Sequence, residues 1–365
     1  MTEPTVYKIL DWGHDIGFVG RGNQITERGL LLRRLLPEQQ AEGFLAGDPL
    51  AWNPFALTLP ERFFFLYHLS EIDRVTTELA RDLGDRPTSK MYESSGAAEV
   101  TCRALFRVLD EATGKVRPRE LPDFRVAREL ACTIAAELHL TDLLARCASV
   151  GGRRVPKVVR PSARRNAFLS SNTAGTRRTT KNADHQTIPR FEQLVDLGFV
   201  EKVSGAAERP DDRRRWRYVP TVICRRWAAG RRRWQGGEES FHWRGFAATA
   251  TTAFCGDQSR RADYKTLIPY FARAYDHVRR PVGHTPIESV ALFTMLIAAA
   301  DAVIIEVDDV YRMMLAVKQG SLLPDHAFFA SGNDFDKMFI HLKPGFDERL
   351  LAVAVLLPTL VTPLG

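Results

Sequence analysis

The chain has 365 residues, of which 45% are hydrophobic and 26% charged, an ordinary globular composition with room for two to three domains with real cores. The net charge of +7 is unevenly placed: Arg153 to Arg233 holds 21 Lys and Arg against 7 Asp and Glu, so the remaining 30 against 37 leave the rest of the chain mildly acidic. A basic block of this kind points to a polyanion engaged at one place, and no amphipathic anchor accompanies it to favour a membrane over nucleic acid.

Five cysteines (Cys102, Cys132, Cys147, Cys224 and Cys255) form no CxxC pair and have no His at zinc spacing. That argues against a structural metal and for a reducing compartment. The opening residues lack signal-peptide character, and the apolar tail Leu350–Leu364 carries two prolines and is too short for a bilayer. The expectation is a soluble cytoplasmic protein, nucleoid-associated when bound to DNA, with the tail forming a terminal core helix or strand.

Taken in order, residues 7–17 read as a helix and Phe18-Val19 as a strand, with Gly20-Arg21-Gly22-Asn23 a tight turn and Gln24-Ile25-Thr26 a return strand. Thr26 is placed to cap a further helix. Residues 37–58 are rich in Pro and Gly and read as loop. From Pro60 the pattern is helical: Phe63 to Leu69 is too apolar to be exposed, and His68 within it reads as a core histidine. Asp73 to Leu83 follows as a helix ending at Gly84, and Tyr92 to Leu109 as another. After Pro118 and Pro122 come a helix from Arg125 to Leu138 and one from Asp142 to Ala148. Gly151 to Thr180 is Arg/Ser/Thr/Asn-rich, a composition that orders on nucleic acid.

Lys181 to Thr221 is the most informative stretch. Phe191, Leu194, Val195 and Gly198 fall at i, i+3, i+4 and i+7, giving a short helix one apolar face. Thr187 suits its N-cap, Pro189 its first turn and Gly198 its C′ stop. Phe199 to Val203 alternates as a strand, Gly205 to Asp212 is a turn, and Arg215-Trp216-Arg217-Tyr218-Val219 returns. Helix, strand, basic turn and strand resemble a winged-helix DNA-binding domain, on TIPRFEQLVDLGFVEK and RRRWRYVPT. Residues 7–36 resemble the same unit in weaker form, since both read helix-Gly-Phe-Val-hairpin-Thr.

The resemblance implies a recognition helix whose N-terminal turn enters the major groove, with Gln186, Thr187, Arg190 and Gln193 facing base edges. Arg177, Arg178, Lys181 and Asn182 precede it. The hairpin carries Arg209, Arg213, Arg214, Arg215 and Arg217, suited to phosphates or a narrow minor groove. Lys8, Arg21 and Asn23 offer a second DNA contact in the N-terminal unit. Arg225-Arg226-Trp227 and Arg231-Arg232-Arg233-Trp234 interleave cations with indoles, which suits phosphate contact with stacking and equally a helix lying on its own domain. A protein-binding winged helix, its arginines a solvated face, is the other reading.

Beyond Gly236–Gly237 a linker is expected to 265. Then come a helix from Leu267 to His277, a turn, a helix Ile287–Ala300 capped by Thr285, a strand Val303–Val307, and a helix Asp309–Lys318 capped by Asp308. Ala327 to Leu342 reads as a hairpin, and this order again resembles a winged helix. Asp334 and Asp336 against one Lys337 make its wing a poor phosphate binder, so this part is expected to pair with protein. His284 and His341 have no evident partners. No Walker A, GxGxxG, HExxH or GxSxG pattern is present. Asp301, Glu306, Asp308 and Asp309 cluster before Lys318 as nuclease carboxylates do, yet Asp308 and Asp309 suit a helix start, and no acid-x-Lys follows a strand.

The sequence therefore predicts a mainly α chain with small β-hairpins (α+β), as two or three winged-helix units in tandem. Its parts are an N-terminal winged-helix-like segment (1–58), a helical cluster (59–117), a central basic winged helix (118–235), a linker (236–265) and a C-terminal winged-helix-like domain (266–365). The expected activity is non-enzymatic binding of double-stranded DNA, without cofactor or metal, as a regulator or the DNA-reading component of a larger bacterial system. A protein-binding scaffold and the recognition part of a restriction or nuclease system are the alternatives.

Overall fold

The computed structural model describes residues 18–20, 22, 24–35, 57–72, 74–85, 92–93, 190–204, 216–236, 238–330, 337–357 and 360. In chain order these form helices α1 (Glu27–Leu35), α2 (Leu59–Ile72) and α3 (Arg74–Gly84), strand β1 (Tyr92–Glu93), helix α4 (190–196), and strands β2 (Val200–Ser204) and β3 (Trp216–Pro220). Helices α5 (Val222–Arg233), α6 (Glu238–Arg244) and α7 (Phe246–Cys255) follow, then β4 (Arg260–Arg261), α8 (Tyr264–Val278), β5 (Thr285–Pro286) and α9 (Ile287–Ala300). The last elements are β6 (Val303–Ile304), α10 (Val307–Gln319), β7 (Ala327–Ala330), β8 (Phe339–Leu342) and α11 (Phe346–Ala352). The fold is mainly helical with small sheets, as an α+β reading requires, and no described helix is long and apolar enough to cross a membrane. The chain divides into two compact units, Leu69–Ala229 and Met1–His68 with Gly230–Gly365.

In the unit Leu69–Ala229 the sheet order is β1-β3-β2, with both pairings antiparallel. Tyr92–Glu93, expected to open a helix, is instead a strand: Tyr92 and Glu93 pair with Tyr218 and Arg217. A two-residue strand has too little sequence for a period of two to register, and its ladder partner lies far along the chain. Helices α3 and α5 cross closely in the same unit. Ala80 and Gly84 sit one turn apart on α3, and a Cβ on Gly84 would lie 2.3 Å from the Cys224 carbonyl oxygen. The Cys224 thiol donates to the Ala80 carbonyl at 3.0 Å, and burial pushes that thiol up to about 12. Trp227, on the same helix, is fully buried, with its ring edge-on to Phe199 at 5.8 Å.

The other unit opens on a short hairpin in which Val19 bridges Ile25 and the Gly20 amide bonds the Gln24 carbonyl at 2.7 Å. Thr26 caps α1 as expected, its hydroxyl accepting from the Gly29 amide at 3.2 Å. Phe18 packs against Phe64, Phe65 and His68, and His68 is buried among these rings as its sequence neighbourhood predicts. Residues 236–265 are not a linker. They hold α6, α7 and β4, with Phe241 and Phe246 buried and Trp234 against Phe241 at 5.9 Å. The Gly236–Gly237 pair suggests a boundary, but Gly236 and Gly245 are places where a Cβ would strike the Trp234 ring, at 2.3 and 2.6 Å.

Helix α8 starts at Tyr264, where the Asp263 carboxylate accepts from Thr266 N and Oγ1 at 2.8 and 2.7 Å, and it carries Pro269 inside. Helix α9 is apolar nearly all round and buried, the mark of a central core helix. Thr285 does not cap it: Thr285 and Pro286 form β5, paired with Ile340 and Phe339, and Pro286 is the N-cap position. The expected strand 303–307 is reduced to Val303–Ile304, parallel to β4. Helix α10 begins at Val307, two residues ahead of the expectation, so Glu306 takes the N-cap position assigned to Asp308. The final sheet has the order β5-β8-β7. The apolar tail contributes Leu350 and Leu357 to the core but leaves Leu351, Val355 and Leu356 exposed.

Candidate nucleic-acid interface

The helix-and-hairpin stretch forms locally as its sequence dictates. Phe191, Leu194 and Leu197 are buried, so one face of α4 faces the core, and Asp196 is exposed opposite. The helix stops at Gly198, whose φ of 77° is readily adopted only by a residue without a Cβ. Gly198 N bonds the Val195 carbonyl and Phe199 N the Leu194 carbonyl, both at 2.8 Å, the paired closing bonds of a Schellman stop.

Strands β2 and β3 then pair antiparallel from Val200↔Pro220 to Ser204↔Trp216, which sets Ser204 and Trp216, the described residues flanking 205–215, opposite each other. Thr221 fixes the base of this hairpin. Its hydroxyl donates to the Gly198 carbonyl at 2.8 Å, and its amide bonds the Phe199 carbonyl at 2.9 Å. Glu192 ties helix to hairpin: its Oε1 accepts from Lys202 Nζ at 2.7 Å and from the Tyr218 hydroxyl at 2.9 Å. Burial and that carboxylate hold the Tyr218 hydroxyl far above the usual tyrosine range. No periodicity in the sequence could have shown this three-residue tie, because it joins groups ten and 26 positions apart.

Of the predicted DNA contacts, Arg190 and Gln193 have described side chains. Both lie half-buried on α4, with Arg190 Nε and Gln193 Oε1 shielded from solvent and Gln193 Oε1 lacking a hydrogen-bond partner among the described residues. Arg217 is placed on β3, opposite Val203 of β2 and Glu93 of β1. Arg177, Arg178, Lys181, Asn182, Gln186, Thr187, Arg213, Arg214 and Arg215 lie outside the described residues, as do Lys8, Arg21 and Asn23 of the second predicted contact. The Arg/Trp segment is corrected: Trp227 is a core side chain and offers no ring to a base. Arg231 is buried too, 3.8 Å over the Phe241 ring, while Arg232 and Arg233 are exposed.

The acidic cluster weighed as nuclease carboxylates is engaged in holding helices. Both oxygens of buried Glu306 accept backbone N–H groups at the start of α7, Ala248 at 2.9 Å and Ala247 at 3.0 Å. Asp309 accepts from Glu306 N at 2.9 Å and pairs with Arg261 Nη2 at 3.0 Å. Asp308 meets Arg312 at 2.6 Å and Arg244 at 3.0 Å, and Asp301 accepts from the Tyr270 hydroxyl at 2.8 Å. Among the described residues no three His, Cys, Asp or Glu are grouped to hold a metal ion. His284 and His341, without evident partners in the sequence, lie with ring centres 6.0 Å apart.

Comparison with protein-family models, with curated proteins and with solved structures finds no match to this chain.

Proposed function

We propose that this chain is a non-enzymatic double-stranded DNA-binding protein of tandem winged-helix design, and that its central unit reads DNA. The observation that carries the reading is the sheet order β1-β3-β2, in which a helix with a buried apolar face leads into the β2–β3 hairpin. That order suits a recognition helix beside a wing, and the loop of the hairpin contains Arg209, Arg213, Arg214 and Arg215. The local charge of Arg153 to Arg233 supplies the phosphate attraction that such a module needs. On this reading Arg190 and the residues ahead of it meet base edges, and the hairpin arginines bind phosphate. The role is that of a cytoplasmic regulator or of the DNA-reading part of a larger assembly, including one whose partner supplies nuclease chemistry.

The second unit favours a further reading for its own part. Its sheet, β5-β8-β7, repeats the order first-third-second, yet its hairpin loop contains Asp334 and Asp336. An acidic loop is a poor phosphate binder, so duplex recognition is assigned to the central unit and a protein contact to this loop.

The test is fluorescence anisotropy with a random duplex at several salt concentrations. Tight binding that weakens steeply with salt is expected. Arg190→Ala should cost about 1–3 kcal/mol at one base position while leaving binding to random duplex nearly intact. Absence of duplex binding at low salt would overturn the proposal and leave the protein-binding scaffold as the reading.

A further inference from the structure

The outer face of the C-terminal sheet has a composition that the duplex reading does not use. The pairing of β7 with β8 and of β8 with β5 sets Phe328 beside His341 and places His284, next to the Thr285↔Ile340 pair, on the far side of His341. Ring centres are 6.3 Å apart for Phe328–His341 and 6.0 Å for His341–His284, so three rings run across the strands in one row. The alternation of strands sends their neighbours inward: Ala327, Ile340, Leu342 and Thr285 are buried, whereas His341 is exposed and Phe328 is 37% exposed. The next outward position on β8 is Phe339, and beyond His341 comes exposed Lys343, whose Nζ sits 4.9 Å from the Phe328 ring centre. His326, whose carbonyl accepts from the Lys343 amide, closes the row on that side.

The chemistry of this face selects its ligand. The rings are turned against one another, by 47° between Phe328 and His341 and by 64° between His341 and His284, so each offers its own face or edge to a base; Lys343 places a phosphate-binding cation over the Phe328 ring, and none of these outward positions carries a carboxylate. A protein partner chosen by charge would meet no acid here, and an apolar one would have to bury Lys343 and three imidazoles. Rings next to a cation on an open sheet are what unpaired nucleobases require. Lys343 also lies at the end of the hairpin away from residues 331–338, the segment containing Asp334 and Asp336, because the loop joins Ala330 to Phe339.

We infer that this face, centred on Phe328, His341 and His284 with Lys343 at its edge, is a stacking platform for the unpaired bases of single-stranded nucleic acid. It is a second contact surface, separate from α4 and its hairpin, and it stands or falls independently of duplex binding by the central unit.

The test uses the full chain and a labelled oligothymidine, with an abasic strand of equal length as the control for phosphate attraction alone. Wild type should bind the oligothymidine well and the abasic strand weakly. Phe328→Ala and His341→Ala should each lower affinity for oligothymidine by roughly tenfold while duplex binding stays unchanged. Both side chains are exposed, so circular dichroism and Tm should match wild type. Phe328→Trp should retain binding and show quenched indole emission on adding the oligothymidine. Equal affinity for the abasic strand, unchanged binding when Phe328→Ala and His341→Ala are combined, or no single-strand binding by wild type overturns the inference. Loss of duplex binding alone, through the hairpin arginines, leaves it standing.

Discussion

Glu306 shows how much one buried side chain organises. Its carboxylate stands at the positive end of α7 and accepts two amide N–H groups there, while its own amide donates to Asp309 at the start of α10. Burial pushes its carboxyl up to about 8, the bonds from Ala248 and Ala247 and the charge on Arg261 pull the other way, and Asp309 adds to the rise. A carboxyl raised in the folded state binds its proton more tightly there than in the unfolded chain. Its contribution to stability is therefore full below about pH 4.3 and is lost as pH rises through about 8. Glu306→Gln removes that titration and turns an amide N–H₂ toward an amide N–H. The variant should lose about 1–3 kcal/mol in urea unfolding. It should also show a flatter dependence of stability on pH between about 5 and 8 than wild type. Parallel pH profiles for the two proteins would count against this assignment.

At the scale of elements, what the sequence disclosed was what short-range physics decides. The i, i+3 pattern of Phe191 and Leu194, the stop at Gly198 and the cap at Thr26 all rest on residues within one or two turns of each other, and all three are present. What was hidden depends on partners distant in the chain. Glycine is the clearest case: Gly84 ends α3 as its sequence reads, and it is also where the carbonyl of distant Cys224 approaches too closely for a Cβ. Gly84→Ala would drive a methyl against the Cys224 carbonyl and Ala228, forcing α3 and α5 apart. We expect a loss of about 1–3 kcal/mol in chemical denaturation. Gly198→Ala acts differently, by placing a Cβ in the left-handed region, and should cost about 1–2 kcal/mol. Because Gly198 sets the angle between α4 and β2, this variant should also weaken duplex binding on the proposed reading. For Gly84→Ala, an unchanged denaturation midpoint would show that the α3–α5 crossing relaxes at little cost.

Over the whole molecule, charge and topology divide the work in the same way. Each of the two units contains a three-stranded antiparallel sheet in the order first-third-second, yet the residues between their hairpin strands differ in sign: arginines in one, aspartates in the other. On the proposed reading, a pair of sequence-similar duplex readers would double the phosphate contact, whereas loops of opposite charge would confine it to one place. The net excess of 14 positive charges between Arg153 and Arg233, within a chain whose total is +7, says the same without reference to fold. The consequence is quantitative. If Arg213, Arg214 and Arg215 each neutralise one phosphate, replacing all three with alanine should reduce the slope of log affinity against log salt by roughly 2.7, since each contact to duplex DNA contributes about 0.9. Affinity should fall for every duplex alike, because phosphate contacts carry no sequence information. Removing charge from the other loop, with Asp334→Asn and Asp336→Asn, should leave that slope where it was. A slope that shifts with the aspartates and ignores the arginines would move the duplex contact to the second unit.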